Sequence, residues 1–270
     1  MENKPSDAQG REESIQTTFP TFETDLFIPQ YQSGQWESWE IRRAEYCLDH
    51  GYVSGTWMLE DLPVLLKRSP DPSLQAETWM SPSAYEIESQ ELGCRNAGGH
   101  TVVAGLGLGW SAINAALLPQ TNEVTVLELD PLVISIIEEL QVITSLPSEI
   151  RNKLTIVQTD AMDWRPGSPV DFLYADIWAK HGERSALEDV RKMQDHIQAK
   201  QIYFWGQELL IYHEAKKLNP GMETISNAQI SQAVEQGIEL PLFIPRDLDY
   251  AQMINRVITN RINRGLPLIR

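Results

Sequence analysis

Short apolar runs alternate with helix-compatible segments through the second half of this 270-residue chain, and that alternation is its strongest organising signal. From His100 the runs are TVVAGL, EVTVLEL, KLTIVQTD, VDFLYADIW and QIYFW, rich in β-branched and aromatic residues, as strands are. Between them lie stretches with helical character, Ser111 to Leu118, Leu132 to Leu140 and Glu183 to Ile197. Strand and helix in turn predict an α/β domain: a doubly wound, mostly parallel sheet with helices on both faces. Three more helices are expected afterwards, Glu208 to Leu218, Asn227 to Gln236 and Tyr250 to Arg264, the last capped by Asp247.

The pattern is different before His100. Residues 1–24 are polar and aperiodic and read as a disordered tail. From Trp36 to Lys67, the runs WESWEIRRAEY, YVSGTWML and LPVLLK are separated by His50-Gly51 and Glu60-Asp61, which predicts a small antiparallel meander. SPDPSLQ is a loop, and in TWMSPSAYEIESQELG Ser83 can cap a short helix with Glu86 three residues on. The chain therefore divides into a tail (1–24), a β-rich region (25–97), an α/β domain (98–222) and a C-terminal helical extension (223–270).

Composition narrows the partners. A net charge of −16, from 22 basic and 38 acidic residues, opposes attraction to a phosphate backbone, so no nucleic-acid partner is expected. An acidic surface suits a cationic substrate, and it also simply keeps a protein soluble. Cys47 and Cys94 lack the spacing of a zinc site or redox pair and read as buried thiols in a reducing, cytoplasmic setting. No secretory signal and no membrane partner are expected: the longest apolar region, Val102 to Leu118, is short for a span and interrupted by Ser111, Asn114 and glycines. The N-terminal β region and the C-terminal helices are candidate surfaces for a homodimer.

Ligands of open α/β sheets bind beyond the carboxyl ends of the strands, so the polar residues there carry the chemistry. The first strand runs into Gly105, Gly107 and Gly109, a tight turn that lets the backbone approach a ligand at a helix start. In the dinucleotide fingerprint G-x-G-x-x-G the third small position falls on Trp110, a poor fit. The second strand ends in Glu128, Leu129 and Asp130, about 20 residues on, where nucleoside-binding sheets carry an acid for the ribose. Glu128 is the candidate; Asp130, followed by Pro131, is equally placed to cap the next helix. The third strand ends in Asp160 and Ala161, with loop capping the alternative for Asp160. The fourth delivers Asp176, Trp178 and His181 as candidate catalytic groups. Asp176 could orient a nucleophile or take its proton, Trp178 could stack or shield a cation, and His181 could act as a base. The alternatives are a core aromatic for Trp178 and a solvated loop position for His181.

Residues 100–178 resemble the nucleotide-binding half of the spermidine synthase-like branch of class I S-adenosylmethionine-dependent methyltransferases. VVAGLGLG, VTVLELDPLVI, the TDA at Thr159 to Ala161, and YADIW carry the likeness. The resemblance implies a Rossmann-like, class I methyltransferase-like fold. It also implies S-adenosylmethionine as cofactor, held by Gly105, Gly107, Gly109, Glu128, Leu129, Asp160, Ala161 and Asp176. Asp160 would read the adenine amino group and Ala161 lie against the ring. Two departures stand out. The family's D-x-x-D-P pattern is Asp176, Ile177, Trp178, Ala179, Lys180 here, so the second aspartate is absent. The acidic and tyrosine-bearing motif before the glycine strand is out of register in MSPSAYEIESQ, which offers Tyr85, Glu86 and Glu88.

Three readings follow: methyl transfer to a small, cationic or amine-bearing molecule; aminopropyl transfer from decarboxylated S-adenosylmethionine; and a non-catalytic nucleoside-binding protein. H-E-x-x-H, G-x-S-x-G and phosphate-loop patterns do not occur, so no metal site and no covalent or nucleotide hydrolysis is expected.

Overall fold

A computed structural model describes residues 19–71 and 73–269. Four strands, β1 (Gly34–Trp36), β2 (Trp39–His50), β3 (Thr56–Lys67) and β4 (Glu77–Met80), form an antiparallel sheet in chain order, the expected meander. Glu60 and Asp61 do not turn the chain as expected. They lie inside β3, where Glu60 pairs with Tyr46 and Asp61 takes a φ of 51°, its carboxylate clamped by the Arg43 guanidinium. The turns fall instead between Trp36 and Trp39 and across Gly51 to Gly55.

Residues 1–18 of the expected tail lie outside the described residues. Residues 19–24 are not tail-like: Met58 N–H donates to the Pro20 carbonyl and Phe22 N–H to the Met58 carbonyl, both at 2.9 Å. Phe22 also meets the Trp57 ring edge-on at 5.6 Å. Helix α1 (Ala84–Asn96) is longer than the short helix expected, with Ser83 as its cap.

The second sheet contains β5 (Gly99–Ala104), β6 (Thr121–Glu128), β7 (Leu154–Gln158), β8 (Phe172–Ala175) and β9 (Gln201–Phe204). Its order is β7-β6-β5-β8-β9, and every neighbouring pair is parallel. The helices are α2 (Trp110–Leu117), α3 (Pro131–Glu139), α4 (Ser148–Arg151), α5 (Ala186–Ile197), α6 (Gln207–Leu218), α7 (Asn227–Ala233) and α8 (Tyr250–Asn263). Alternate strand residues face opposite layers. Val103, Val124, Val126 and Tyr174 pack with α2 and α3, while Val102, Leu127, Leu173 and Phe204 pack with α5, α6 and α8. This is the predicted doubly wound, Rossmann-like α/β sheet, with an antiparallel β region before it and helices after.

Details at the C-terminus differ from expectation. The segment expected as one helix to Gln236 passes after Ala233 into a single π turn, Val234–Ile238. The cap of α8 is Asp249, which accepts from Gln252 N–H at 3.0 Å, and not Asp247. Leu242 bridges to Ile202 and covers the outer edge of β9, which would otherwise offer unpaired backbone groups. The carboxyl group of Glu208, in the first turn of α6, is fully buried beneath the hydroxyls of Tyr52 and Tyr250. Cys94 is buried as expected, but Cys47 is only half-buried. Among the described residues no helix is long and apolar enough to cross a membrane.

Candidate functional site

Strands β5 and β8 lie side by side, and the chain leaves both at the same end of the sheet. The turn after β5 needs glycine for a reason visible in its surroundings. A Cβ on Gly105 would stand 2.0 Å from the Asp176 carbonyl oxygen, and one on Gly107 would stand 2.1 Å from Met80 Sδ, both far inside contact distance. All three glycines take positive φ, at 98°, 50° and 80°. Gly109 is the left-handed N-cap of α2. The Glu128 carboxylate fastens the turn to the next strand: one oxygen accepts Leu106 N–H at 2.9 Å, the other Asp130 N–H at 2.8 Å.

These ends enclose a cavity of about 440 Å³. That falls in the range of roughly 300–1,000 Å³ usual for small-molecule sites. Gly105, Gly107, Glu128, Leu129, Asp160, Ala161, Asp176 and Trp178 all line it, although they come from four separate strand ends. Gly109 does not, and its place is the helix cap. Asp130 lines the cavity but fills the capping role, accepting Leu132 N–H at 2.9 Å, and it also receives the Trp39 indole N–H at 2.9 Å. Asp160 caps its own loop through Met162 N–H at 2.9 Å while still facing the cavity. The Trp178 indole N–H is taken by Asp189 of α5 at 2.9 Å, so its ring is a fixed wall packed edge-on against Phe204.

His181 is neither in the cavity nor in solvent. It is 7 % exposed in an adjoining recess, its Nδ1 within 2.9 Å of the Tyr85 hydroxyl and 3.1 Å of the Arg261 guanidinium. Lys180 on one side and Arg184 on the other are exposed, but between them His181 and Gly182 turn inward, His181 onto Arg261 of α8, 80 residues away.

Sequence reasoning missed the groups that the antiparallel sheet and α1 contribute: Trp39, Lys67, Trp79 and Glu86. Trp39 and Trp79 meet edge-on at 5.4 Å, and the Lys67 ammonium lies 5.3 Å and 4.9 Å from their ring centres. Glu86 is the acid that the sequence offered as the Ser83 capping partner and as part of the out-of-register motif with Tyr85 and Glu88. Its Oε2 accepts Ser81 N–H at 3.0 Å and its Oε1 the Gln90 amide at 3.3 Å. Gln90 also bonds to Asp176. Burial pushes the Asp176 carboxyl up to about 7, the Gln90 bond working weakly the other way. Burial likewise holds Glu86 well above the usual carboxylate range, and the nearby charge of Asp176 adds to it. The cavity lining thus carries two carboxyl groups, Asp176 and Glu86, both raised by burial. The only hint in the sequence was an acid in a motif that looked misplaced.

No protein family and no curated protein matches the chain. Among solved structures it is similar to the glycopeptide N-methyltransferase MtfA complexed with S-adenosyl-L-methionine, at 19 % identity and a TM-score of 0.31, covering 41 % of this chain and 43 % of that one. It is also similar to a dimethyladenosine transferase from Plasmodium falciparum, at 17 % identity and a TM-score of 0.31, covering 41 % and 36 %. The methyltransferase domain of a bacterial Hen1 gives 12 % identity and a TM-score of 0.33, covering 44 % and 61 %. The chain thus spans less than two thirds of each of those structures, and no residue role is carried across from them.

Proposed function

We propose that the protein binds S-adenosylmethionine in this cavity and transfers its methyl group to a small molecule. The observation that carries the reading is the convergence of the glycine turn, Glu128, Asp160 with Ala161, and Asp176 on one cavity at the carboxyl ends of the strands. The donor set suits the cofactor. A carboxylate has about four acceptor positions, and the two backbone bonds of Glu128 leave others for the vicinal ribose hydroxyls. Leu129, 66 % exposed at the mouth, and Ala161 offer apolar surfaces for the adenine, and Asp160 an acceptor for its amino group.

When bound, S-adenosylmethionine supplies a methyl group activated on a sulfonium. The protein's part is then positioning and charge. Asp176 faces the end of the turn, where it can orient the nucleophile and accept its proton, and a carboxyl near 7 is matched to that exchange at neutral pH. Trp178, held by Asp189, and Trp205 wall off the floor.

One observation favours a second reading, aminopropyl transfer from decarboxylated S-adenosylmethionine to an amine. Glu86 stands near Asp176 and supplies from α1 the second carboxyl group missing from the Asp176 motif. Calorimetry with S-adenosylmethionine, its decarboxylated form and methylthioadenosine separates the two. Tighter binding of the carboxylated ligand supports methyl transfer, and the reverse supports aminopropyl transfer. No binding of any of the three at about 1 mM, equivalent to ~4 kcal/mol, removes both.

A further inference from the structure

Beside the cavity lies a second recess, of about 340 Å³, and Trp79, Met80, Glu86 and Trp205 line both. Its charge sets it apart. In a chain of net charge −16, three basic side chains, Lys180, Arg261 and Arg264, converge on its lining. Arg261, on α8, is 2 % exposed. It donates to the Pro267 carbonyl, the Tyr85 hydroxyl and His181 Nδ1, all uncharged acceptors. Among the described residues it forms no ion pair. Burying a guanidinium without a counter-charge is unfavourable, so the field of Arg261 is left for whatever enters the recess.

The other two cations are exposed. Arg264 lies 5.6 Å from the centre of the Tyr85 ring, and Lys180 has only a loose pair, 3.7 Å, with half-exposed Glu77. Against the three stand Asp49, which accepts Tyr85 N–H at 2.9 Å, and the protonation-prone Glu86 on the shared wall. Among the charged side chains that line the recess three are basic and two acidic, and its volume accommodates a small acid group.

We infer that the recess is an oxyanion subsite for a carboxylate or phosphate group, with Arg261 beneath it and Arg264 and Lys180 at its mouth. Identifying that oxyanion as one end of the methyl acceptor rests on the function proposed above; the subsite itself does not. With both, the acceptor is a bipolar molecule, its nucleophile beside Asp176 and its acidic group beyond the wall of Trp79 and Met80.

Calorimetric titration of the full chain with sodium phosphate and, separately, sodium succinate at fixed ionic strength tests this. A saturable signal with either is expected; phosphate alone points to a phosphorylated acceptor and succinate alone to a carboxylate. Arg261→Gln risks the fold, so the deciding variant is Arg264→Gln with Lys180→Gln, both exposed. It should bind the same anion at least about tenfold more weakly with an unchanged melting temperature. No saturation at about 10 mM anion, or equal binding by the double variant, overturns the subsite. S-adenosylhomocysteine titrated into the unmodified chain reads the other proposal alone: phosphate bound without it keeps the subsite and sinks the methyltransferase reading, and the converse does the opposite.

Discussion

Glu128 holds the Leu106 amide hydrogen at 2.9 Å, so one carboxylate both shapes the glycine turn and faces the cavity that the turn borders. Glu128→Ala should weaken S-adenosylhomocysteine binding by about 1.5–3 kcal/mol, the range for losing bonds to a charged acceptor. Glu128→Gln keeps one acceptor oxygen and should fall between. A dissociation constant unchanged in both variants would remove Glu128 from the site.

Asp176 couples ligand charge to protons. Its carboxyl lies near 7 because it is buried, and a cation placed beside it favours the ionised form. S-adenosylmethionine, a sulfonium, should therefore release protons on binding at about pH 6, and its affinity should rise toward pH 8. The uncharged thioether S-adenosylhomocysteine should release fewer. Titration in buffers of different ionisation enthalpy measures this. In Asp176→Asn the difference between the two ligands should vanish; if it persists, another group is the source.

Glu208 gives a stability prediction of known sign. Burial raises its carboxyl from 4.5 to about 7, the hydroxyls of Tyr250 and Tyr52 opposing only partly. A raised acid binds protons in the folded state that the unfolded chain has already lost. Stability from this group is thus full below pH 4.5 and declines as pH rises to 7, by up to about 3 kcal/mol. Glu208→Gln cannot ionise, so its melting temperature relative to the unmodified protein should climb across that interval. A constant difference would mean that Glu208 stays ionised throughout.

The glycines of the turn should separate by function. Gly105→Ala meets the Asp176 carbonyl at 2.0 Å with φ at 98°, and it should destabilise by more than about 2 kcal/mol and abolish ligand binding. Gly109→Ala has only ordinary contacts, the nearest 3.7 Å away at Val142, and carries just the strain of its φ of 80°. A loss of about 1 kcal/mol with unchanged ligand affinity is expected. Denaturant melts and calorimetry on both variants check it, and equal effects on binding would return Gly109 to the site.

What could be read in the sequence follows from the distance over which each choice is made. Runs such as Thr101–Ala104 and Val124–Leu127, apolar but for Thr101 and Thr125, are buried on both faces, as a parallel sheet covered on both sides requires. Glu128, Asp160 and Asp176 were legible because a strand's end is fixed by its own residues and the sheet gathers all such ends on one side. Glu86 and His181 were not. Glu86 is held by its neighbours Ser81 and Gln90 but shares the cavity with Asp176 far along the chain, and His181 takes its place from Arg261; no local spacing encodes such meetings. Glu60-Asp61 failed for the opposite reason. The pair has turn-like chemistry, but the long ladder between β2 and β3 and the Arg43 clamp override it.

The antiparallel sheet is joined to the cavity by the Trp39–Asp130 bond and contributes Trp39, Lys67, Trp79 and Met80 to its walls. Its strands pair with one another and with the segment around Thr21, and with no strand of the parallel sheet. Substitutions at Lys67 in β3 and Trp79 in β4 can redraw which guests are admitted while Glu128 keeps its bonds to the glycine turn, whereas Met80, whose sulfur accepts the Leu108 amide, cannot change without touching that turn. Selectivity and cofactor retention can drift apart over evolutionary time, with the two indole-to-carboxylate links, Trp39 to Asp130 and Trp36 to Glu139, as the seam between them.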